Sequence, residues 1–137
     1  MRSEALESAI QADVAKLAGC TLVDIKVGVF HADFVFLDAL RIIVRITKMF
    51  KFSLAKDREM TFDPALETHD PLVESSEFVF LRGMRCRHAA FDRTKFEMAF
   101  DSDARLWIEL GPKDFEPLEL IGGSGERHEK LAFYHVL

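Results

Sequence analysis

The chain has 137 residues, 49% of them hydrophobic and 30% charged, and this composition excludes a disordered protein while allowing one domain to bury its own core. A formal charge of −5 argues against a general binder of nucleic acid. No apolar run approaches the ~20 residues of a membrane-spanning helix. No signal-peptide pattern is present, and we expect both cysteines to be free thiols, so we predict a cytoplasmic protein.

The first element is a predicted helix at the N-terminus. Ser3 can cap it, and Gly19 ends it because glycine readily adopts a left-handed conformation. Its apolar positions recur at the helical spacing and are Leu6, Ile10, Val14 and Leu17.

After Gly19 the hydrophobic period changes to two, which predicts a strand over about residues 20–29. Two further β-rich runs, 32–37 and 40–47, are separated by Asp38-Ala39 and read as a hairpin. A weaker pattern predicts a fourth strand over about 49–54.

Residues 55–77 interrupt the pattern with Pro64, Pro71 and a series of acidic side chains, and we predict a linking loop there. The pattern then resumes. Leu17-Ala18-Gly19 and Leu81-Arg82-Gly83 open two similar halves, and the glycines are 83 − 19 = 64 residues apart. The same offset aligns several further pairs, which are Phe36 with Phe100, Arg41 with Arg105, Ile42 with Leu106, Val44 with Ile108 and Ile46 with Leu110.

The end of the second half predicts a strand over 115–121 and a flexible loop at Gly122-Gly123-Ser124-Gly125. The last segment, 130–137, is predicted as a strand or a short helix, and a strand is the preferred interpretation. The expected fold is therefore mainly β, an N-terminal helix followed by two tandem β-meander units arranged as a sandwich or a partly open barrel. The units cover about 17–54 and 81–121 within a single domain, 1–137.

This plan resembles small uncharacterised bacterial proteins of the toxin-immunity type. The shared features are the Leu-x-Gly openings and the Phe-bearing hairpins with acidic turns, over residues 17–121. The turns here are Asp38-Ala39 and Asp101-Ser102-Asp103, where those proteins commonly have Asp-Gly, and the closing Phe115–Leu118 replaces a Glu-x-Trp-like segment. The resemblance implies a binding protein without catalysis and assigns no functional residues.

Residues able to carry chemistry are sparse. His31-Ala32-Asp33 supplies half of a metal site at most, and no Cys or His stands at metal-ligand spacing, so we predict no metal and no cofactor. Cys86 lies beside cationic residues that would lower a thiol pKa, and His88 would share its face in a regular strand. A buried, passive cysteine is the preferred interpretation, and we predict no catalytic residue.

Two charged surfaces remain as candidate binding sites. The basic one contains Arg85, Arg87 and Arg93, and the acidic one contains Glu67, Asp70 and Glu74. The leading hypothesis is a non-catalytic, immunity-like protein-binding module whose partner is another protein, a toxin among the possibilities. A homodimer is also expected, because an open meander leaves strand edges unpaired. The alternative is a small ligand-binding β-barrel or an enzyme whose site is assembled from distant strands.

Overall fold

The computed structural model describes residues 4–28, 30–55, 58–64, 79–92, 94–111, 117–124 and 130–137. Within these ranges the chain forms a helix, α1 (Glu4–Ala15), and ten strands. The strands are β1 (Thr21–Gly28), β2 (His31–Leu37), β3 (Arg41–Ile46), β4 (Phe50–Ala55), β5 (Arg58–Phe62), β6 (Cys86–Phe91), β7 (Lys95–Phe100), β8 (Arg105–Glu109), β9 (Leu118–Ser124) and β10 (Lys130–Val136).

The strands form two five-stranded antiparallel sheets. Sheet A has the order β1-β2-β3-β9-β10, and sheet B has the order β6-β7-β8-β4-β5. Each half of the chain therefore keeps its first three strands in one sheet and gives its last two to the other. The mainly β fold expected from the sequence, a sandwich or a partly open barrel, is confirmed, and neither sheet closes into a barrel.

Phenylalanine rings fill the space between the two sheets. Phe36 of sheet A stacks on Phe100 of sheet B with ring centroids 6.2 Å apart, and Phe34 meets Phe50 edge to face at 5.7 Å. All four rings are buried. Because such rings each bury a large apolar area, they contribute much of the stability of the fold.

Helix α1 packs beside β6, the edge strand of sheet B. Ile10 and Val14 are buried at the four-residue spacing expected for the core-facing side of a helix. The backbone N–H of Phe91 in β6 donates to the side-chain oxygen of Gln11 at 2.8 Å. The helix thus covers part of an edge that would otherwise offer unpaired backbone groups to another chain. No helix in the described residues is long and apolar enough to cross a membrane.

The two Leu-x-Gly segments have matching backbone geometry. Gly19 and Gly83 both have φ of +92°, a conformation that disfavours any side chain. The Gly19 N–H donates to the carbonyl of Cys86, and the Gly83 N–H donates to that of Leu22, each at 2.7 Å. Both β1 and β6 also carry a bulge 64 residues apart, at Leu22/Asp24 and Cys86/His88. This correspondence supports an origin by duplication, which stays a prediction.

The ungapped alignment of the hairpins does not hold in the cross-strand register. Phe36 pairs with Ile42 in the first hairpin, whereas Phe100 lies beside Ala104, to which its N–H donates, in the second. The residue opposite Phe36 is thus six positions later in the chain, whereas the residue opposite Phe100 is four positions later. The two hairpin turns therefore differ in length. The inward faces remain apolar in both.

Three further predictions can be compared with the strands. The last strand is confirmed as β10, but the segment predicted as a linking loop, 55–77, contains β5. Gly122 and Gly123 belong to β9 rather than to a flexible loop. A Cβ atom on Gly122 would lie 2.2 Å from the ring of Phe133, so glycine is required there to let the ring cover the strand.

Candidate functional site

The outer face of sheet B carries a row of side chains that crosses all five strands. Strand pairing places Glu59 beside Ser53, Ser53 beside Arg105, Arg105 beside Ala99 and Ala99 beside His88. Because alternate residues of a strand point to the same face, these five side chains share one side of the sheet. The row therefore brings together groups from five separate stretches of the chain.

A β-bulge adds a second cation at the end of this row. Cys86 pairs with Phe100 and His88 pairs with Ala99, so that Arg87 is the extra residue on β6. Arg87 and His88 are both exposed, whereas Cys86 is buried. The bulge thus places two consecutive polar side chains at the outer surface, which regular alternation would not allow.

These residues enclose an open groove of about 590 Å³. That volume lies within the range of small-molecule sites, roughly 300–1,000 Å³. The groove is lined by Ser53, Arg87, His88, Ala99, Phe100, Asp103, Ala104 and Arg105. Ala99 lies between Arg105 of β8 and the Arg87-His88 pair of β6. Its small side chain leaves the space that forms the groove.

Arg105 is held in place by two contacts. One of its terminal nitrogens lies 3.3 Å from a carboxylate oxygen of Glu97, and its guanidinium carbon lies 4.6 Å from the ring centroid of Trp107. Trp107 is on the same outer face, yet only 7% of its surface is exposed. The arginine therefore covers the indole and is stabilised by a cation–π interaction and an ion pair.

Arg87 is held more loosely than Arg105. Its side chain is 64% exposed, and its Nε lies 4.0 Å from a carboxylate oxygen of Asp101. The turn that bears this aspartate is strained, because Ser102 and Asp103 both have φ of 63°, a conformation uncommon outside glycine. The backbone N–H of Phe100 closes the turn by donating to the carbonyl of Ala104 at 2.8 Å.

The groove contains serine, histidine and aspartate, but their spacing is unsuited to nucleophilic catalysis. Ser53 and His88 lie on strands separated by β8 and β7. Three interstrand steps amount to ~14 Å between their backbones, which is too far for the direct hydrogen bond that a nucleophile and its base require. Ser53 and His88 therefore do not form a nucleophile–base pair.

The cysteine hypothesis can also be judged from the structure. The Sγ of Cys86 donates to the backbone carbonyl of His88 at 3.4 Å, and the bulge turns the His88 side chain to the opposite face. The expectation that the two side chains share a face is therefore wrong. Burial raises the pKa of the Cys86 thiol to about 12 and raises that of Cys20 as well. Both thiols are free and buried.

In the His31-Ala32-Asp33 segment, which the sequence offered as half of a metal site, the aspartate forms an ion pair instead. Both carboxylate oxygens of Asp33 accept from Arg45, at 2.8 and 2.9 Å. The described residues contain no group of three or more His, Cys, Asp or Glu side chains placed to hold a metal ion.

Of the six predicted binding residues, the structure describes only Arg85 and Arg87. Both are exposed, and Arg87 lines the groove. Arg93, Glu67, Asp70 and Glu74 lie outside the described residues. Sequence analysis did not identify Ser53, Ala99 or Arg105 as site residues. The available signal for Arg105 was strand alternation, which places it on the face opposite the apolar Leu106 and Ile108. No comparable signal marked Ser53 or Ala99.

On sheet A, the same cross-strand positions carry different residues. The bulge of β1 presents Val23 and Asp24 where β6 presents Arg87 and His88. Val35 replaces Ala99, and its partner Ile43 replaces Arg105. Ile121, which pairs with Ile43, replaces Ser53. Among the described residues, these positions therefore form a cationic groove on sheet B and not on sheet A.

The fold and this site define a two-sheet β-sandwich with a cationic groove on one outer face. Comparison with models of known protein families, with curated proteins and with solved structures found no match.

Proposed function

We propose that the chain is a non-catalytic protein-binding module that contacts its partner through the outer face of sheet B. The observation that carries this proposal is the open groove, which has cationic side chains on both sides of a small alanine floor. A surface depression with orienting charges suits the insertion of a side chain from another protein.

The alternative is a ligand-binding barrel or an enzyme, and it would be favoured by a closed apolar cavity lined by His88 or His31. The structure instead has phenylalanine rings in contact between the sheets, and His88 lies on an open outer face. The groove volume of about 590 Å³ is an observation that favours a small ligand.

The partner class follows from the resemblance to toxin-immunity proteins, which makes a protein toxin the first partner to test. A homodimer and a cytoplasmic location remain parts of the proposal. The formal charge of −5 gives less support to nucleic acid, because a polyanion would be repelled by most of the surface.

The test is to fill the groove and follow the partner. We expect Ala99→Trp to abolish a saturable complex with the partner recovered from cells, because the indole would occupy the groove floor. Ala39→Trp is the matched control, since Ala39 is exposed in the turn of the first hairpin. The complex is followed by sedimentation velocity with purified components.

Retention of the complex in Ala99→Trp would place the interface elsewhere and refute the proposal. Turnover of a small molecule by the wild-type chain, lost in Ala99→Trp and kept in Ala39→Trp, would establish the enzymatic alternative.

A further inference from the structure

We propose that the groove receives one carboxylate from an acidic segment of the partner protein, seated over Ala99 between Arg105 and the Arg87-His88 pair. This inference rests on the proposed function and specifies the chemistry that the partner must present.

The first step is the geometry of the floor. Ala99 pairs with Arg105 on β8 and with His88 on β6. Two interstrand steps separate these flanking strands by roughly 10 Å. The side chain of Ala99 is only a methyl group, which leaves space above it on the outer face. A carboxylate in that space lies between cationic or hydrogen-bonding side chains on both sides. A planar carboxylate can accept two hydrogen bonds from one guanidinium, which favours arginine at such a position.

The second step is the prior positioning of Arg105. The guanidinium carries five N–H donors. Glu97 contacts one terminal nitrogen at 3.3 Å, and Trp107 supports the plane of the group at 4.6 Å. Because these contacts restrict the side chain before any ligand arrives, less conformational entropy is lost when a carboxylate binds.

The third step is the balance of charge. Arg87 and Arg105 are cationic, while Asp103 lines the same groove, Asp101 lies 4.0 Å from Arg87 and Glu97 lies 3.3 Å from Arg105. Each of these two ion pairs involves one nitrogen of the guanidinium, and a single carboxylate can accept hydrogen bonds from the other donors. A phosphate with nearly two negative charges would be repelled more strongly by the three carboxylates, and a nucleic acid would also meet the net negative charge of the chain.

The experiment titrates the full ¹⁵N-labelled chain with three probes while backbone amide shifts are recorded. The probes are the blocked tripeptide acetyl-Gly-Asp-Gly-amide, its asparagine counterpart and inorganic phosphate. We expect saturable shifts at His88, Ala99 and Arg105 with the aspartate peptide and none with the asparagine peptide. Phosphate should bind more weakly than the aspartate peptide.

Arg105→Gln should weaken the binding of the aspartate peptide by about tenfold or more, because a bidentate charge-assisted contact is lost. Arg41→Gln is the matched control, since Arg41 is the arginine 64 residues earlier and lies on sheet A. It should leave the binding unchanged. If Arg105→Gln loses the dispersed amide spectrum of a folded chain, Arg87→Gln replaces it, with an expected loss of about threefold because that side chain is held loosely.

Equal binding of the aspartate and asparagine peptides, or equal losses in Arg105→Gln and Arg41→Gln, would overturn the carboxylate site. Tighter binding of phosphate would overturn it in favour of a phosphorylated ligand. If no carboxylate probe binds while Ala99→Trp still abolishes the partner complex, this inference fails and the proposed function stands. If the partner complex survives Ala99→Trp, the proposed function fails independently.

Discussion

The outer faces of sheets A and B share a strand order and a bulge but present different chemistry at corresponding positions. Val35 on sheet A is only 1% exposed and lies between Asp24 and the branched apolar Ile43. Ala99, its counterpart on sheet B, leaves a depression beside Arg105. Residue size and charge at a few outward positions therefore decide which face has a groove, since both sheets supply the same backbone frame.

The next row across each sheet strengthens this contrast. On sheet A, Asp33 lies directly opposite Arg45 and binds it through two hydrogen bonds. On sheet B the residue opposite Glu97 is Trp107, so Glu97 instead contacts Arg105 in the adjacent row. Sheet A thus holds Arg45 through two hydrogen bonds within one row, whereas sheet B holds Arg105 through a contact from the adjacent row, at the edge of the groove.

The largest expected effect tests whether the inner faces of the two sheets depend equally on their phenylalanine rings. Phe36→Ala and Phe100→Ala should each reduce the free energy of unfolding by ~3–5 kcal/mol, because each removes a fully buried ring from the same stacked contact. Urea denaturation measures both. Leu37→Ala, at a position that is 47% exposed, serves as the control and should cost under about 1 kcal/mol. A loss below about 1 kcal/mol at either phenylalanine would break the correspondence of the two inner faces.

The second prediction separates the inner face of β6 from its outer face. In a Cys20→Ala background, Cys86 should react with a thiol reagent at pH 8 on the order of a thousandfold more slowly in the native state than in urea. The reason is that burial raises the thiol pKa to about 12. Absorbance of the released chromophore gives both rates. Native labelling within tenfold of the unfolded rate would revive Cys86 as a reactive residue.

The third prediction compares the two carboxylates of the second row. Asp33→Asn should cost about 1–3 kcal/mol, because it weakens a two-bond ion pair whose aspartate is only 10% exposed. Glu97→Gln should cost under about 1 kcal/mol, because that pair is more exposed and solvent screens it. Thermal unfolding at neutral pH measures both. Equal losses of stability in the two variants would show that burial does not distinguish the ion pair of sheet A from that of sheet B.

The smallest effect concerns α1, which contacts both sheets. Asp13 accepts from His135 of sheet A at 2.7 Å, and Gln11 accepts from Phe91 of sheet B. Burial favours a higher pKa for Asp13, but hydrogen bonds from Lys16 and His135, with their charges, lower it overall. A carboxylate with a lowered pKa adds stability above its unfolded pKa, near 4, and this stability is lost as the pH falls through the folded pKa.

The wild-type chain should therefore lose more stability between pH 5 and pH 2 than Asp13→Asn does. Gln11→Ala should lower stability by a similar amount at every pH, since its contact is uncharged. Urea denaturation across this pH range provides the measurement. Parallel curves for the wild type and Asp13→Asn would mean that the contact with sheet A has no electrostatic part.

The helix and most strands were predictable because their patterns are local. A four-residue apolar spacing buries Ile10 and Val14, and a two-residue spacing buries alternate residues of β3. The loop assignments at 55–77 and 122–125 were wrong where β5 and the end of β9 form, because polar residues and glycines there take part in strand pairing, β5 with β4 and β9 with β3 and β10. Gly122 is required by the ring of Phe133, a contact that local pattern cannot indicate.

The sequence by itself determined that the chain is mainly β with a phenylalanine core, because alternation and composition set which face of each strand is buried. Only the tertiary structure decided that the last two strands of each half join the opposite sheet, since strand partners depend on contacts distant in sequence. The groove follows from that decision. Ser53 on β4 meets Arg105 on β8 because the halves exchange strands, and the bulge on β6 turns Arg87 and His88 to the same face.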